Sequence, residues 1–527
     1  MKRLIVSLLA IVGLGILTMA GQDRQKLTEY KLQNGLTVML WENPDQEDVT
    51  GYVAVRVGSV DEPKEYTGLA HYLEHMLFKG TEQIGAIDWE KEKPVYEEII
   101  RLYDAYSTST DAVERDTLAK RINRLSMQEM QYSTTRDFFS LMDGIGATGV
   151  NAFTSYDMTC YTSSFPAYQM NKWLTINADR MKNPVFRTFQ AELENVFEEY
   201  NMYAGDVRTQ QQDKLWATIY KGHAYERNVI GEPEHLKNPR LSKLIEFFNT
   251  WYVANNMALI LVGNFDAQAA KPMIEKAFGS LPTGELPSRQ TDLPTFEGGL
   301  KKKFDLGYYP QIYWVFDGAT VKDDDLPALQ FVSQLLNNGS NTGLLDKVTM
   351  DGDVSGAQCM VDARRDMGRI LVTAIPYFDP NQQSFESNAA TERTVMNEIN
   401  KLKTGDIPDW LIESVKQNIR QQYTLAFEEG DAYMNELVEC FIYDLPTDRI
   451  FTQLERIESL TKEDIQRVAK KYFDAHPMTL TFEEGDPKVN KLPKPDIRPL
   501  QMVEGVETAY AQSFRSLSEG LPSVNYN

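Results

Sequence analysis

Apolar positions along the chain follow two periods, and the change from one to the other marks out its elements. Residues 30–40 alternate on either side of Asn34-Gly35, a dipeptide suited to a tight hairpin, and predict two short strands. Residues 49–57 alternate again and predict a third. From Gly68 to Phe78 the period lengthens: Leu69, Tyr72, Leu73, Met76 and Leu77 recur at helical spacing. From Asp88 to about Tyr132 the chain is charged and helical, broken by Pro94 and by the polar turn Ser107 to Asp111. There Ile99, Leu102, Tyr103 and Tyr106, then Leu118, Ile122 and Leu125, mark the apolar faces of two antiparallel helices. This stretch reads as an inserted helical hairpin, either a lid or partner contact or a decoration that packs only its own faces.

Strand character returns at residues 150–155 and 158–162, and helices follow at about 167–181 and 188–203. A helix at 241–252 leads into the continuous apolar strand 256–263. Much later a helix at 460–473, with Thr461 and Asp464 as a capping box, leads into a strand at 478–482. The two passages match in layout, Trp251-Tyr252 to Met257 against Tyr472-Phe473 to Met478, and predict a duplicated domain with a repeat of about 220 residues. Between the copies Pro282, Pro287, Pro294, Gly298 and Gly299 mark a linker. The second copy opens with a strand at 311–316 and a helix at 326–336. The fold class is therefore α+β, two similar domains each with helices packed on a sheet. The expected division is 1–20 leader, 21–285 first domain with the hairpin at about 88–132, 286–300 linker, 301–487 second domain, and 488–527 a Pro-rich segment and tail without strong periodicity.

Composition changes the picture in three places. At 527 residues the chain exceeds one core, and 42% hydrophobic with 25% charged residues is ordinary for a globular protein. A net charge of -22 argues against nucleic acid as a partner and favours neutral or cationic ligands. Lys2 and Arg3, the apolar run 4–17 and Thr18-Met19-Ala20 read as a secretory signal, so the expected location is periplasmic or secreted, with no stable membrane span after its removal; an uncleaved anchor is the other reading. Cys160, Cys359 and Cys440 are too few and too scattered for a disulfide framework or a cysteine zinc site.

The candidate chemistry lies in the first helix. His71 and His75 stand four positions apart, one helical turn, with Glu74 beside them. The order His-x-x-Glu-His offers two nitrogen ligands for a metal and a carboxylate able to take a proton from water. On the helix near 188–203, Glu192, Val196 and Glu199 share one face, and Glu199 is the candidate for a third ligand. The second copy has no such motif. Its histidine, His476, stands in a turn before the last strand and is read as structural.

These residues resemble the pitrilysin/insulinase family of zinc metallopeptidases, which includes the mitochondrial processing peptidase. The likeness runs through His71-Tyr-Leu-Glu74-His75 and its continuation to Thr81, Asn151-Ala-Phe-Thr154, Glu192 with Glu199, His223-Ala-Tyr225 with Ile230-Gly231, and residues 252–263. It covers about residues 28–266 well and the second copy more loosely. The resemblance implies one Zn2+ per chain held by His71, His75 and Glu199, with Glu74 as general base and Glu192 as a carboxylate that orients a ligand. It further implies an extended peptide substrate beside Asn151, Ala152, Phe153 and Thr154, joined by strand addition; a local turn or strand-end bond is the other reading for the Asn151 side chain. The implied activity is hydrolysis of peptides or unfolded segments; the other class is a non-catalytic assembly or binding scaffold of the same family. The interval from His75 to Glu199 is longer than the family's, and the hairpin accounts for the excess without touching a motif. Full members close a clamshell chamber from two such halves. This chain supplies one half, so the resemblance implies a second, from a separate chain or a missing C-terminal part.

Overall fold

The residues of the central strands divide between two apolar layers. In the computed structural model, which describes residues 26–238, 240–289, 291–428, 431–487, 491–492 and 506–515, Thr37–Glu42 (β2) sends Val38 and Leu40 to one side and Met39 and Trp41 to the other, all four buried. It forms a hairpin with Leu27–Lys31 (β1) across Asn34-Gly35, where Gly35 takes φ 87° and a Cβ would stand 2.9 Å from that of Asn255. Glycine is required there on both counts. Val49–Val55 (β3), Thr148–Thr154 (β4), Thr159–Phe165 (β5) and Met257–Gly263 (β6) complete a sheet in the order β1-β2-β6-β3-β5-β4. The β2–β6 pair is parallel and the others antiparallel.

The second sheet repeats this order. Lys301–Asp305 (β7), Gln311–Gly318 (β8), Gly356–Ala363 (β9), Gly368–Ile375 (β10) and Met478–Glu483 (β13) run β7-β13-β8-β10-β9, with β7–β13 parallel and the rest antiparallel. A two-residue ladder, Phe378–Asp379 (β11) with Ser384–Phe385 (β12), stands apart. Apart from β1, the sheets match strand for strand, so the duplication expected from the matching helix-to-strand passages is present in three dimensions. The molecule is α+β, built of two similar domains.

Each sheet has a helical layer of its own on one face and the other domain's helix on the opposite face. Met39, Trp41, Ile260 and Val262 pack against Met434, Leu437 and Phe441 of the second domain's helix Asp431–Tyr443. Val315, Leu371, Leu480 and Phe482 pack against Leu215 and Ile219 of the helix Val207–Ile219. That is why β6 is apolar at every position and buried throughout: both its faces are covered.

The stretch near residues 88–132 forms two helices, Trp89–Thr108 and Ala112–Glu129, capped by the side chains of Asp88 and Asp111. Pro94 does not break the first. It lies one turn in, where its missing N–H forfeits a single bond near a terminus and its ring needs little adjustment. Nor does the hairpin pack only on itself. Tyr96, Ile99, Tyr103 and Ile122 belong to the first domain's core, and Glu92 forms a fully buried pair with Arg187 at 2.5 Å. Arg187 also donates to the carbonyls of Thr81 and Ile84, at 2.7 and 3.1 Å, so the hairpin is tied to the segment that continues the His71–His75 motif. The hairpin interrupts none of the motifs in sequence, yet it meets one in space: a charge buried on this scale needs several partners, and the chain after the helix supplies them.

The leader at 1–20 and residues 493–505 lie outside the described residues. The tail without periodicity includes a short helix, Ala509–Arg515, packed on the first domain through Ala511 and Phe514. Among the described residues no helix is long and apolar enough to cross a membrane.

Candidate metal centre

The helix Leu69–Met76 starts from a sharp turn at Gly68, whose φ is 88° and where a Cβ would lie 2.6 Å from the Ile230 carbonyl oxygen. Its first free N–H groups are met from outside the helix. The buried Glu62 carboxylate accepts from Gly68 N and Ala70 N, both at 2.8 Å. Nothing in the pattern around residue 62 marks this cap, which is made by a loop folding back six residues.

His71 and His75 then lie one turn apart, ring centroids 4.7 Å from each other. The helix Phe189–Ala204 runs beside them and presents Glu199. Its Oε2 stands 3.6 Å from His71 Nε2 and 3.8 Å from His75 Nε2. Those separations exceed a hydrogen bond. They approach the edge of roughly 3.3 Å between donors in a tetrahedron with bonds of about 2.0 Å, so the three atoms suit a shared zinc ion. The donor set and its spacing therefore fit the metal, and these three residues form the one His/Cys/Asp/Glu cluster of this kind among the described residues.

The electrostatics of the two histidines differ. Burial, followed by the neighbouring His75, lowers the His71 pKa to about 4 and keeps the ring neutral, as a ligand must be. Its Nδ1 is buried with no hydrogen-bond partner. His75 differs: burial works to depress its pKa, but the Glu192, Glu74 and Glu199 carboxylates hold it above its usual value. His75 Nδ1 meets Glu192 Oε1 at 2.7 Å, which fixes the ring with Nε2 toward Glu199. Burial opposes ionisation of Glu192, yet the bonds from His75 and Lys79 outweigh it and hold the carboxyl down at about 2. Lys79, 2.5 Å from Glu192 Oε2, is a residue that the reading of the sequence missed. It lies inside the conspicuous stretch, but only the fold brings it to Glu192.

Glu74 is buried, and burial raises its pKa; Thr154 Oγ1 donates to its Oε2 at 2.7 Å. Thr154 thus faces the carboxylate. The other three residues singled out on β4 are arranged by strand alternation: Ala152 is buried, Asn151 and Phe153 exposed. β4 is the edge strand, paired only with β5, and its outer edge has no strand partner among the described residues. A cavity of about 620 Å³ is lined by His71, Glu199 and Thr154 and, from the second domain, by Asp362 and Arg364. Arg364 stands at the tip of the β9–β10 hairpin, a position without any signal in the sequence.

Residues 37–92 and 118–233 match the family described as Insulinase (Peptidase family M16), and residues 240–419 match the Peptidase M16 inactive domain. The gap between the first two segments, 93–117, falls within the helical hairpin. An uncharacterized zinc protease of Rickettsia felis is 27% identical over 262 residues, 48% of this chain and 50% of the relative, so the match spans about half the length of that protein. The mitochondrial-processing peptidase subunit beta of Caenorhabditis elegans is 22% identical over 84% of this chain and 86% of its own. The crystal structure of the first half of the periplasmic protease PqqL from Escherichia coli superposes with a TM-score of 0.63 at 17% identity, covering 87% of this chain and 92% of that one. The His-x-x-Glu-His helix lies within the first match, and the second carries the description of an inactive domain. On these matches the chain belongs to the insulinase-type peptidase family M16.

Proposed function

We propose that this chain is the zinc-binding half of an endopeptidase that hydrolyses peptides or unfolded polypeptide segments. The observation that carries the reading is the convergence of His71 Nε2, His75 Nε2 and Glu199 Oε2 beside a buried Glu74. A zinc ion held by these three residues, one per chain, supplies Lewis acidity that acidifies water and polarises a peptide carbonyl. Glu74 is the general base: it takes the proton of the attacking water and returns it to the leaving amine. Its raised pKa suits both transfers, and the Thr154 hydroxyl holds its carboxylate in place. Glu192, braced by Lys79, orients His75. The outer edge of β4, with Asn151 to Thr154, receives extended substrate by backbone pairing.

The enzyme closes its chamber with a second half. Two relatives support this: one is named as a subunit and one as the first half of a longer protease. We place the protein in the periplasm or outside the cell, on the basic and apolar pattern of residues 1–20.

The test is Glu74→Gln in the full chain, with its partner half supplied. Peptide hydrolysis is expected to disappear while one zinc per chain is retained. Undiminished hydrolysis in that variant would refute the assignment of Glu74, and absence of hydrolysis in the unmodified, zinc-loaded complex would refute the activity.

A further inference from the structure

The helix Phe189–Ala204 is anchored unevenly. Its buried side chains are Phe189, Gln190, Glu192, Leu193, Val196 and Phe197. Glu199 comes after the last of them, on a turn where Met202 and Tyr203 are exposed. A ligand on a loosely held turn is poorly placed unless something else fixes the backbone. Tyr200 packs partly against the core and Gln210 Nε2 donates to the Ala204 carbonyl at 2.7 Å; a further contact comes from the far end of the chain. Asn201 Nδ2 donates to the Leu492 carbonyl at 3.0 Å, and Leu492 N donates to Asn201 Oδ1 at 2.6 Å. One amide side chain thus satisfies both backbone groups of Leu492, whose own side chain is buried in the first domain's core.

A second anchor lies further along. Thr508 Oγ1 hydrogen-bonds Asp137 Oδ2, and Ala511 and Phe514 are buried beside the helix Asp137–Gly144. That helix carries Phe138 and Phe139, whose rings lie 5.5 and 5.6 Å from Phe78, three residues beyond His75. Residues after the second sheet therefore touch both supports of the metal centre: the helix bearing Glu199, and the packing behind the histidine pair.

We infer that Leu492 and residues 506–514 are part of the metal centre's scaffold, and that Asn201, by clamping Leu492, is a positioning residue that holds Glu199 against His71 and His75. The inference rests on the reading of Glu199 as the third ligand. It makes Leu492 and residues 506–514 supports of the first domain although they follow the second domain in the chain.

The experiment uses the full chain with Asn201→Ala and, separately, Leu492→Pro, which removes the N–H donor from the Leu492 side and leaves the helix untouched. Zinc affinity is read by competition with a chromophoric chelator, ligand geometry by the visible absorption of the cobalt-substituted protein, and folding by the thermal midpoint of the metal-free protein. Both variants are expected to bind zinc roughly 10-fold more weakly, the loss typical when a group supporting a ligand is removed. They should also alter the cobalt spectrum; Asn201→Ala should leave the metal-free midpoint in place, whereas Leu492→Pro should lower it because it also withdraws a buried side chain. A lowered midpoint with unchanged zinc affinity and spectrum would make the contact merely structural and overturn the inference. Glu199→Gln is the separate control: zinc affinity unaffected by that substitution would mean Glu199 is no ligand, and the inference would fall with it, whatever Glu74→Gln does to hydrolysis.

Discussion

Two buried carboxylates in the first domain illustrate how surroundings decide what the same group does. Glu192 has His75 on one oxygen and Lys79 on the other, so it stays ionised and its charge acts on the imidazole. Glu192→Ala would leave His75 free to rotate and Lys79 unpaired. Zinc affinity is expected to fall about 10- to 100-fold, measured by chelator competition, with one zinc still bound at saturation. Glu129 has no cation of its own: its Oε1 is buried without a partner, and burial, reinforced by the charge of Glu92, pushes its pKa from 4.5 up to about 8. The sign follows from proton counting. Between those values the folded protein holds a proton that the unfolded chain has released, so raising the pH through this window costs stability. Glu129→Gln, which keeps the shape and removes the titration, should flatten the decline. The check is the thermal midpoint of both proteins at pH 5 and pH 8, with the variant gaining on the parent at the higher pH.

At the level of elements, the helical hairpin shows what a sequence pattern reveals and what it hides. The apolar spacing of Ile99, Tyr103 and Ile122 marked both helices, and their side chains are indeed buried. The strands were legible for the same reason: Val38 and Leu40 alternate with Met39 and Trp41 because two different cores lie on the two sides. The His71–His75 pair was visible because both members lie in one turn of helix. What could not be read were bonds between segments remote in the chain. Glu62 as the cap of the His71 helix, Lys79 beneath Glu192, and Arg187 against Glu92 are ordinary polar residues until the fold brings them together. The last pair carries a prediction. Both side chains are completely buried, and Arg187 directs its remaining donors to carbonyls after the His71–His75 helix. Glu92→Ala strands that guanidinium without its counter-charge, at a cost of about 3–5 kcal/mol. Denaturant unfolding should register the loss, and because the stranded cation abuts Thr81 and Ile84, zinc affinity should weaken alongside it.

For the molecule as a whole, the decisive feature is that neither sheet is covered by its own domain alone. Trp41 is fully buried and stacks on Tyr433 at 3.8 Å, while Leu437 and Phe441 fill the same layer. On the other side Leu215 and Ile219, from the helix that follows the Glu199 helix, cover Leu480 and Phe482. Each such side chain buried contributes about 1.5–3 kcal/mol, so several lost together exceed the net stability of a typical domain. The domains should then be unable to exist separately, although each has a complete sheet and a core. A fragment of residues 26–289 would expose Met39, Trp41, Ile260 and Val262 on a flat apolar face. By size-exclusion chromatography it is expected to aggregate, and to bind a hydrophobic dye, unless residues 291–515 are co-expressed; together the two pieces should elute as one complex. The substitution Leu437→Asp tests the same contact in the intact chain, because a carboxylate placed against Trp41 has no partner there. It should destabilise both domains in a single transition instead of loosening only the second. A monodisperse first fragment that binds zinc as the full chain does would show that the reciprocal cover is dispensable, and that the metal centre needs only its own domain.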